Sequence, residues 1–237
     1  MANLPTAAEI ELLVFDLDGT LIDSQIDLVN SVNATLAAFH LAPLAHTTVT
    51  TYIGDGAAVL IQRALTSATG QAPGDELSTK ALQFFLHYYR EHKLDFTYVY
   101  PGVMEALAAI RDKQPKLAMA VLTNKPFRPS REICKALGLS PFFFQNYGGD
   151  SFATKKPAPE GLLQLVQEAS KRCRREIAPQ QCIMIGDSGV DIATGRAAGA
   201  YTIGCTYGLS PQTLAATAPD AVAHSASEWS ALLGFTP

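Results

Sequence analysis

Charge, cysteine and long apolar runs are all scarce in this 237-residue sequence, and each scarcity excludes something. Only 17% of residues are charged, the formal net charge is −4, and Lys and Arg form no unbroken run longer than two. That balance leaves no electrostatic footprint for nucleic acid or an anionic membrane, so neither is expected as a partner. The longest apolar stretches fall far short of the ~20 residues a membrane helix needs. The opening MANLPTAAEIE has neither the basic flank nor the long apolar segment of a signal peptide, so a cytoplasmic location is expected. The four cysteines (Cys134, Cys173, Cys182, Cys205) show no CxxC spacing and read as reduced, mostly buried thiols. No GK[ST] loop exists, which removes a P-loop NTPase, and none of the five histidines has HExxH spacing. Gly54-Asp55-Gly56 is not a dinucleotide loop, because Val59 occupies the sixth position and no clear βαβ unit follows.

What is present is a chain 48% hydrophobic, enough for one good core or a core with a smaller satellite. From about Tyr98 onward, short apolar runs alternate with helical patterns. Strands are expected at Leu117–Leu122, Phe143–Tyr147, Ile183–Gly186, Tyr201–Ile203 and Ala221–Ala223. Helices are expected around Val103–Arg111, Pro129–Leu137, Glu160–Lys171 and Val190–Ala198. Such alternation argues an α/β fold, a doubly wound, Rossmann-like parallel sheet with helices on both faces. The first strand, running from Ile10 into Asp16, belongs to the same sheet.

Residues 23–96 read differently. Apolar side chains recur there at helical spacing, as in Leu28, Val32, Leu36 and Phe39, and again in Leu77, Ala81, Phe84 and Phe85. Ser24 followed by Asp27 predicts a capping box for the first helix. A segment this long is no βα loop, which takes about 2–6 residues. It is expected to be an inserted helical cap (23–96) on a core formed by 1–22 and 97–237. Its place after the first strand sets it over the strand ends where doubly wound sheets bind ligands, the position of a lid.

The chemistry concentrates at strand tips. FDLDGTL (Phe15–Leu21) puts Asp16 and Asp18 two apart, on one face of a strand end, before Gly19 turns the backbone. Two bare carboxylates about 4 Å apart repel by roughly 4 kcal/mol at an effective dielectric of 20. Holding a hard cation, or dividing nucleophile and proton-shuttle roles, would justify the pair; an ordinary Asp-Gly turn is the plainer reading. Thr123-Asn124-Lys125 ends the second core strand and could cradle phosphate oxygens, or simply cap a helix. Lys155-Lys156-Pro157 could bring an ammonium to the same crevice, or be a solvated pair before a helix. Gly186-Asp187-Ser188-Gly189-Val190-Asp191 adds two more carboxylates, which a turn and a helix dipole could also explain.

The order Asp-x-Asp, Thr-Asn, Lys-Pro, Gly-Asp-x-x-x-Asp resembles the haloacid dehalogenase-like hydrolase superfamily, over nearly the whole chain. The resemblance implies a Mg2+-dependent phosphatase acting on a small phosphomonoester. Asp16 would be the nucleophile that carries an aspartyl-phosphate, and Asp18 the acid and then the base. Thr123 and Asn124 would bind phosphate. Lys156 would neutralise it, with Lys155 as the alternative register. Asp16, Asp187 and the carbonyl of Asp18 would hold Mg2+, and Asp191 a metal-bound water.

Ile53–Leu65, Val121–Pro126, Gly148–Asp150 and Gly204–Gly208 further resemble the bacterial phosphoglycolate phosphatase family, which implies 2-phosphoglycolate as substrate. Where that family commonly has Gly-Asn-Gly, this chain has Gly54-Asp55-Gly56. Asp55 is expected to cap the helix starting near Ala57, with Gly54 at the substrate. Arg63 is a candidate for the substrate carboxylate, because guanidinium binds it bidentately. A sugar-phosphate phosphatase or a β-phosphoglucomutase-like mutase shares the core motifs and is the runner-up. A non-catalytic phosphate sensor would be expected to have lost Asp16 or a metal ligand. A dehalogenase has no use for Asp18 and Asp187, and the cap lysines Lys80 and Lys93 are not placed beside the Gly54 loop as a phosphonate hydrolase would need. Either a monomer or a homodimer is compatible with the sequence.

Overall fold

The computed structural model describes residues 4–235. In chain order its elements begin with β1 (Leu12–Phe15), β2 (Ile22–Asp23), then α1 (Gln25–Ala38), α2 (His46–Thr50), α3 (Ala57–Thr69), α4 (Asp75–His92) and β3 (Tyr98–Val99). There follow α5 (Val103–Lys113), β4 (Ala118–Leu122), α6 (Phe127–Ala136), β5 (Gln145–Tyr147), α7 (Glu160–Cys173), β6 (Cys182–Gly186), α8 (Gly189–Ala198), β7 (Tyr201–Cys205) and β8 (Ala221–Ala223). Six strands form one sheet in the order β5-β4-β1-β6-β7-β8, every neighbouring pair parallel. The chain builds outward from β1 on one side and returns to build on the other. The crevice at the carboxyl end of β1, between β4 and β6, is therefore the topological switch point.

Period-two geometry explains why β1 reads as an unbroken apolar run. Leu13 and Phe15 face a layer with Val103, Leu107, Ile110, Ile133 and Trp229. Leu12 and Val14 face the opposite layer, with Leu162, Leu165, Val166 and Ala198. A central strand covered on both faces has no polar side to show. Each of its buried Leu side chains is worth about 1.5–3 kcal/mol of transfer free energy. The rigid platform so built is what aims the residues after Phe15.

The helices between β2 and β3 have a core of their own, including Leu28, Val32, Leu36, Ile61, Leu65 and Phe85. Their two connections to the sheet lie side by side, because β2 and β3 pair antiparallel, Ile22 with Val99 and Asp23 with Tyr98. The expected Ser24–Asp27 capping box does not form. Ser24 makes no side-chain cap, and its hydroxyl instead donates to Asp18 Oδ1 at 2.5 Å. Asp27 accepts from the backbone N–H groups of Phe96 and Thr97. Long-range partners outcompete a local cap here. Asp55 likewise caps nothing: Gly56 is the N-cap residue of α3, with no side-chain bond, and Asp55 is drawn to Arg63. Helix α2 was not expected, since His46–Thr50 is one turn rich in β-branched residues.

Candidate active site

Asp16 follows β1 directly, and its backbone N–H donates to Ile185 O of β6. Gly19 then turns the chain at φ +88°, and a Cβ there would overlap the Asp187 carboxylate. The Asp187 carboxylate thus lies against the Gly19 backbone, an approach that only glycine permits. This brings Asp16, Asp187 and Asp191 together: one carboxylate oxygen of each lies within 4.8 Å of the others, and all three residues are buried.

Lys156 enters this cluster and Lys155 does not. The Lys156 ammonium sits 2.7 Å from Asp16 Oδ1 and 2.6 Å from Asp191 Oδ1. Lys155 turns to the backbone carbonyl of Asp55, at 2.5 Å. Asp191 also caps α8, accepting from the Ser188 N–H and hydroxyl. Asp187 Oδ2 accepts from the N–H groups of Leu209 and Ser210 at 2.7 and 3.0 Å. Despite the close ammonium, Asp16 Oδ1 has no partner of hydrogen-bonding geometry.

Burial, with the nearby charges of Asp191 and Asp18, pushes Asp16 up to about 6 although Lys156 opposes it. Burial, then Asp191 and Asp16, raise Asp187 well above the ordinary carboxylate range. Lys156 is held above its usual value: burial disfavours its charge, and Asp16 and Asp191 more than offset that. One ammonium against three carboxylates leaves an excess of buried negative charge. An all-oxygen donor set of that charge, with one oxygen lacking a hydrogen bond, suits a hard divalent cation.

Asp18 points elsewhere. Its two oxygens accept from Lys125 Nζ at 2.9 and 3.0 Å, beside the Ser24 hydroxyl. Burial disfavours the Lys125 charge, but Asp18 raises it above the usual lysine range. The same ammonium stands 4.7 Å from the centroid of the Tyr89 ring on α4. Sequence reasoning gave Lys125 and Tyr89 no role. Lys125 was at least visible beside Thr-Asn at a strand tip, whereas Tyr89 reads as one of many apolar positions on α4.

Thr123 and Asn124 both lie at the tip of β4, buried. The Thr123 hydroxyl accepts from the Lys125 N–H at 3.2 Å. Both Asn124 amide hydrogens are committed, to Gly54 O at 3.0 Å and to Lys156 O at 3.1 Å. A cavity of about 200 Å³ opens here, lined by Asp16, Asp18, Gly54, Thr123 and Asn124, with walls from Leu28, Ile53, Leu60 and Phe85. Arg63 is not among its lining residues. Its guanidinium pairs with Asp55 at 2.6 Å and donates to Tyr52 O.

With this geometry in view, comparison with known proteins assigns the class. A model of the haloacid dehalogenase-like hydrolases matches residues 10–199, and the chain belongs to that family. Among curated relatives, a phosphoglycolate phosphatase from Chromobacterium violaceum is 39% identical over 199 residues, 84% of this chain and 86% of that protein. One of the same name from Vibrio vulnificus is 34% identical over 226 residues, covering 94% and 96%. The crystal structure of a predicted phosphoglycolate phosphatase from Haemophilus somnus superposes with a TM-score of 0.86 at 31% identity, covering 94% of this chain and 98% of that one. No helix among the described residues is long and apolar enough to cross a membrane.

Proposed function

We propose that this chain is a Mg2+-dependent phosphatase of small phosphomonoesters, with 2-phosphoglycolate as its substrate and glycolate and phosphate as products. The observation that carries this reading is the tip of β1: Asp16 is buried in a cluster with Asp187 and Asp191, its Oδ1 faced by Lys156 at 2.7 Å, and Asp16 and Asp18 line the same cavity. The relatives named above support the substrate. So does the cavity of about 200 Å³, which is below the ~300–1,000 Å³ range typical of ligand sites.

In the first step Asp16 attacks phosphorus and the bond to the leaving oxygen breaks. Asp18 gives that oxygen its proton, and a phosphoryl group remains on Asp16. In the second step Asp18 takes a proton from water, whose oxygen attacks phosphorus and frees Asp16. Splitting one displacement into two lowers each barrier. Lys156 faces the charge that builds on the transferred group. Because Asn124 spends both amide hydrogens on Gly54 and Lys156, the Thr123 hydroxyl is the side chain left at the tip of β4 to donate to phosphate. Asp16, Asp187 and the carbonyl of Asp18 would hold Mg2+, with Asp191 beside them. When bound, the ion supplies positive charge that offsets repulsion between Asp16 and the phosphate dianion. The helical unit closes the crevice against bulk water.

The test is phosphate release from a panel of phosphoesters with and without Mg2+, with Asp16→Asn as control. The reading requires 2-phosphoglycolate to have the highest kcat/KM and the variant to be inactive. Preference for sugar phosphates would overturn the substrate while leaving the chemistry. Silence on every ester would overturn both.

A further inference from the structure

We infer that Lys125 and Tyr89 together recognise the carboxylate of the substrate, one from the sheet domain and one from the helical unit. This rests on the reading of the substrate as a phosphorylated hydroxy acid, and it supplies what Arg63 does not. Three cations line the cavity: Lys125, Arg90 and Arg128. The last two are exposed, and Arg128 is engaged by Glu132 at 2.9 Å. Lys125 alone of the three is buried, its side chain 3% exposed.

The second observation comes from a different element, α4. Tyr89 is 3% exposed and lines the same cavity, and its hydroxyl has no hydrogen-bond partner. The Lys125 ammonium lies close enough to act on that hydroxyl, but the angles between them are not those of a hydrogen bond. A buried hydroxyl left unpaired is costly, and a ligand that accepts from it recovers that cost. Burial pushes the Tyr89 phenol up to about 12, so at neutral pH it is a donor. An ammonium and a hydroxyl that converge from two walls of a small, largely apolar cavity are both donors. That chemistry selects an anionic oxygen group. The phosphoryl end of the substrate belongs at Asp16 and Lys156, so the donor pair at the other end takes the carboxylate. Lys125 has three N–H groups, and can keep a bond to Asp18 while donating to the ligand.

The test compares 2-phosphoglycolate with ethyl phosphate, which replaces the carboxylate by a methyl group and keeps the phosphoester. The readout is the ratio of their kcat/KM values. Lys125→Met is expected to lower that ratio about 100-fold, and Tyr89→Phe about tenfold. A residue that merely positions Asp18 would slow both esters equally and leave the ratio unchanged, and that result overturns the inference while sparing the substrate assignment. If the unaltered enzyme already fails to prefer 2-phosphoglycolate, the substrate reading falls and this inference with it. Should Lys125→Met not fold, as a thermal melt would show, Tyr89→Phe decides alone, since it keeps the ring and removes only the hydroxyl.

Discussion

The Asp27 carboxylate holds Thr97 twice, through its backbone N–H at 2.9 Å and its hydroxyl at 2.6 Å. It also accepts from the Phe96 N–H at 3.0 Å. The first turn of α1 is thereby tied to the segment that leads into β3. Removing the carboxylate strands two N–H groups. Asp27→Ala is expected to lower stability by about 3 kcal/mol, and Asp27→Asn, which keeps one acceptor, by about half of that. Urea unfolding of the three proteins checks the order; equal stability of all three would refute it.

Asp16 gives a prediction with a sign. Its value is raised from 3.8 to about 6 in the fold, so the native state keeps a proton that the unfolded chain has released. Stability from this group is complete at low pH and is lost as pH climbs from about 4 to about 6. Asp16→Asn removes that loss. In metal-free buffer the variant should gain on the parent protein as pH rises through this window, and the gap should close near pH ~4. Thermal melts of both across the range measure it, and a constant gap would defeat the account. Mg2+ should raise the parent's melting temperature more at pH ~7 than at pH ~5, because protons and metal compete for the same carboxylates.

Arg63 should matter little. Its pairing with Asp55 involves side chains 42% and 32% exposed, and such pairs contribute about 0–1 kcal/mol. Arg63→Ala is expected to keep kcat/KM for 2-phosphoglycolate within about twofold. A loss of two orders of magnitude would return the carboxylate to the residue that sequence reasoning chose.

Gly19→Ala should do far more than its size suggests. The new Cβ meets the Asp187 carboxylate, at a φ of +88° that L-residues rarely adopt. A stability loss of about 2 kcal/mol and the disappearance of Mg2+-dependent turnover are expected. Magnesium titrations followed by melting temperature would separate the two effects, since displaced Asp187 predicts a lost metal response even where the variant folds.

These positions also mark what the sequence makes legible. Asp16, Thr123, Lys156 and Asp187 stand out through their motifs, and three of the four close a short apolar run; the end of a buried parallel strand is where the sheet offers groups to a ligand. Element types followed from periodicity; edges did not. Strand β5 starts at Gln145 rather than Phe143, the apolar phenylalanines having blurred its start after the turn at Ser140–Phe142. Helix α6 starts at Phe127, with Pro129 inside its first turn, where a missing N–H costs nothing. The partnerships of Ser24 with Asp18, Asp27 with Thr97 and Lys125 with Tyr89 were invisible for one reason. Each depends on how the helical unit folds back onto the strand tips, which local patterning does not encode.

The place of β1 at the middle of the sheet has a consequence for the order of events during synthesis. The ribosome makes Leu12–Phe15 well before the strands that flank it, β4 at Ala118–Leu122 and β6 at Cys182–Gly186. The helices from Gln25 to His92, contiguous and with a core of their own, can assemble while β1 still waits unpaired. An apolar strand in that position is a hazard for aggregation until its late partners emerge. A nascent chain halted before Cys182 would carry Asp16 and the helices beside it, but neither Asp187 nor Asp191.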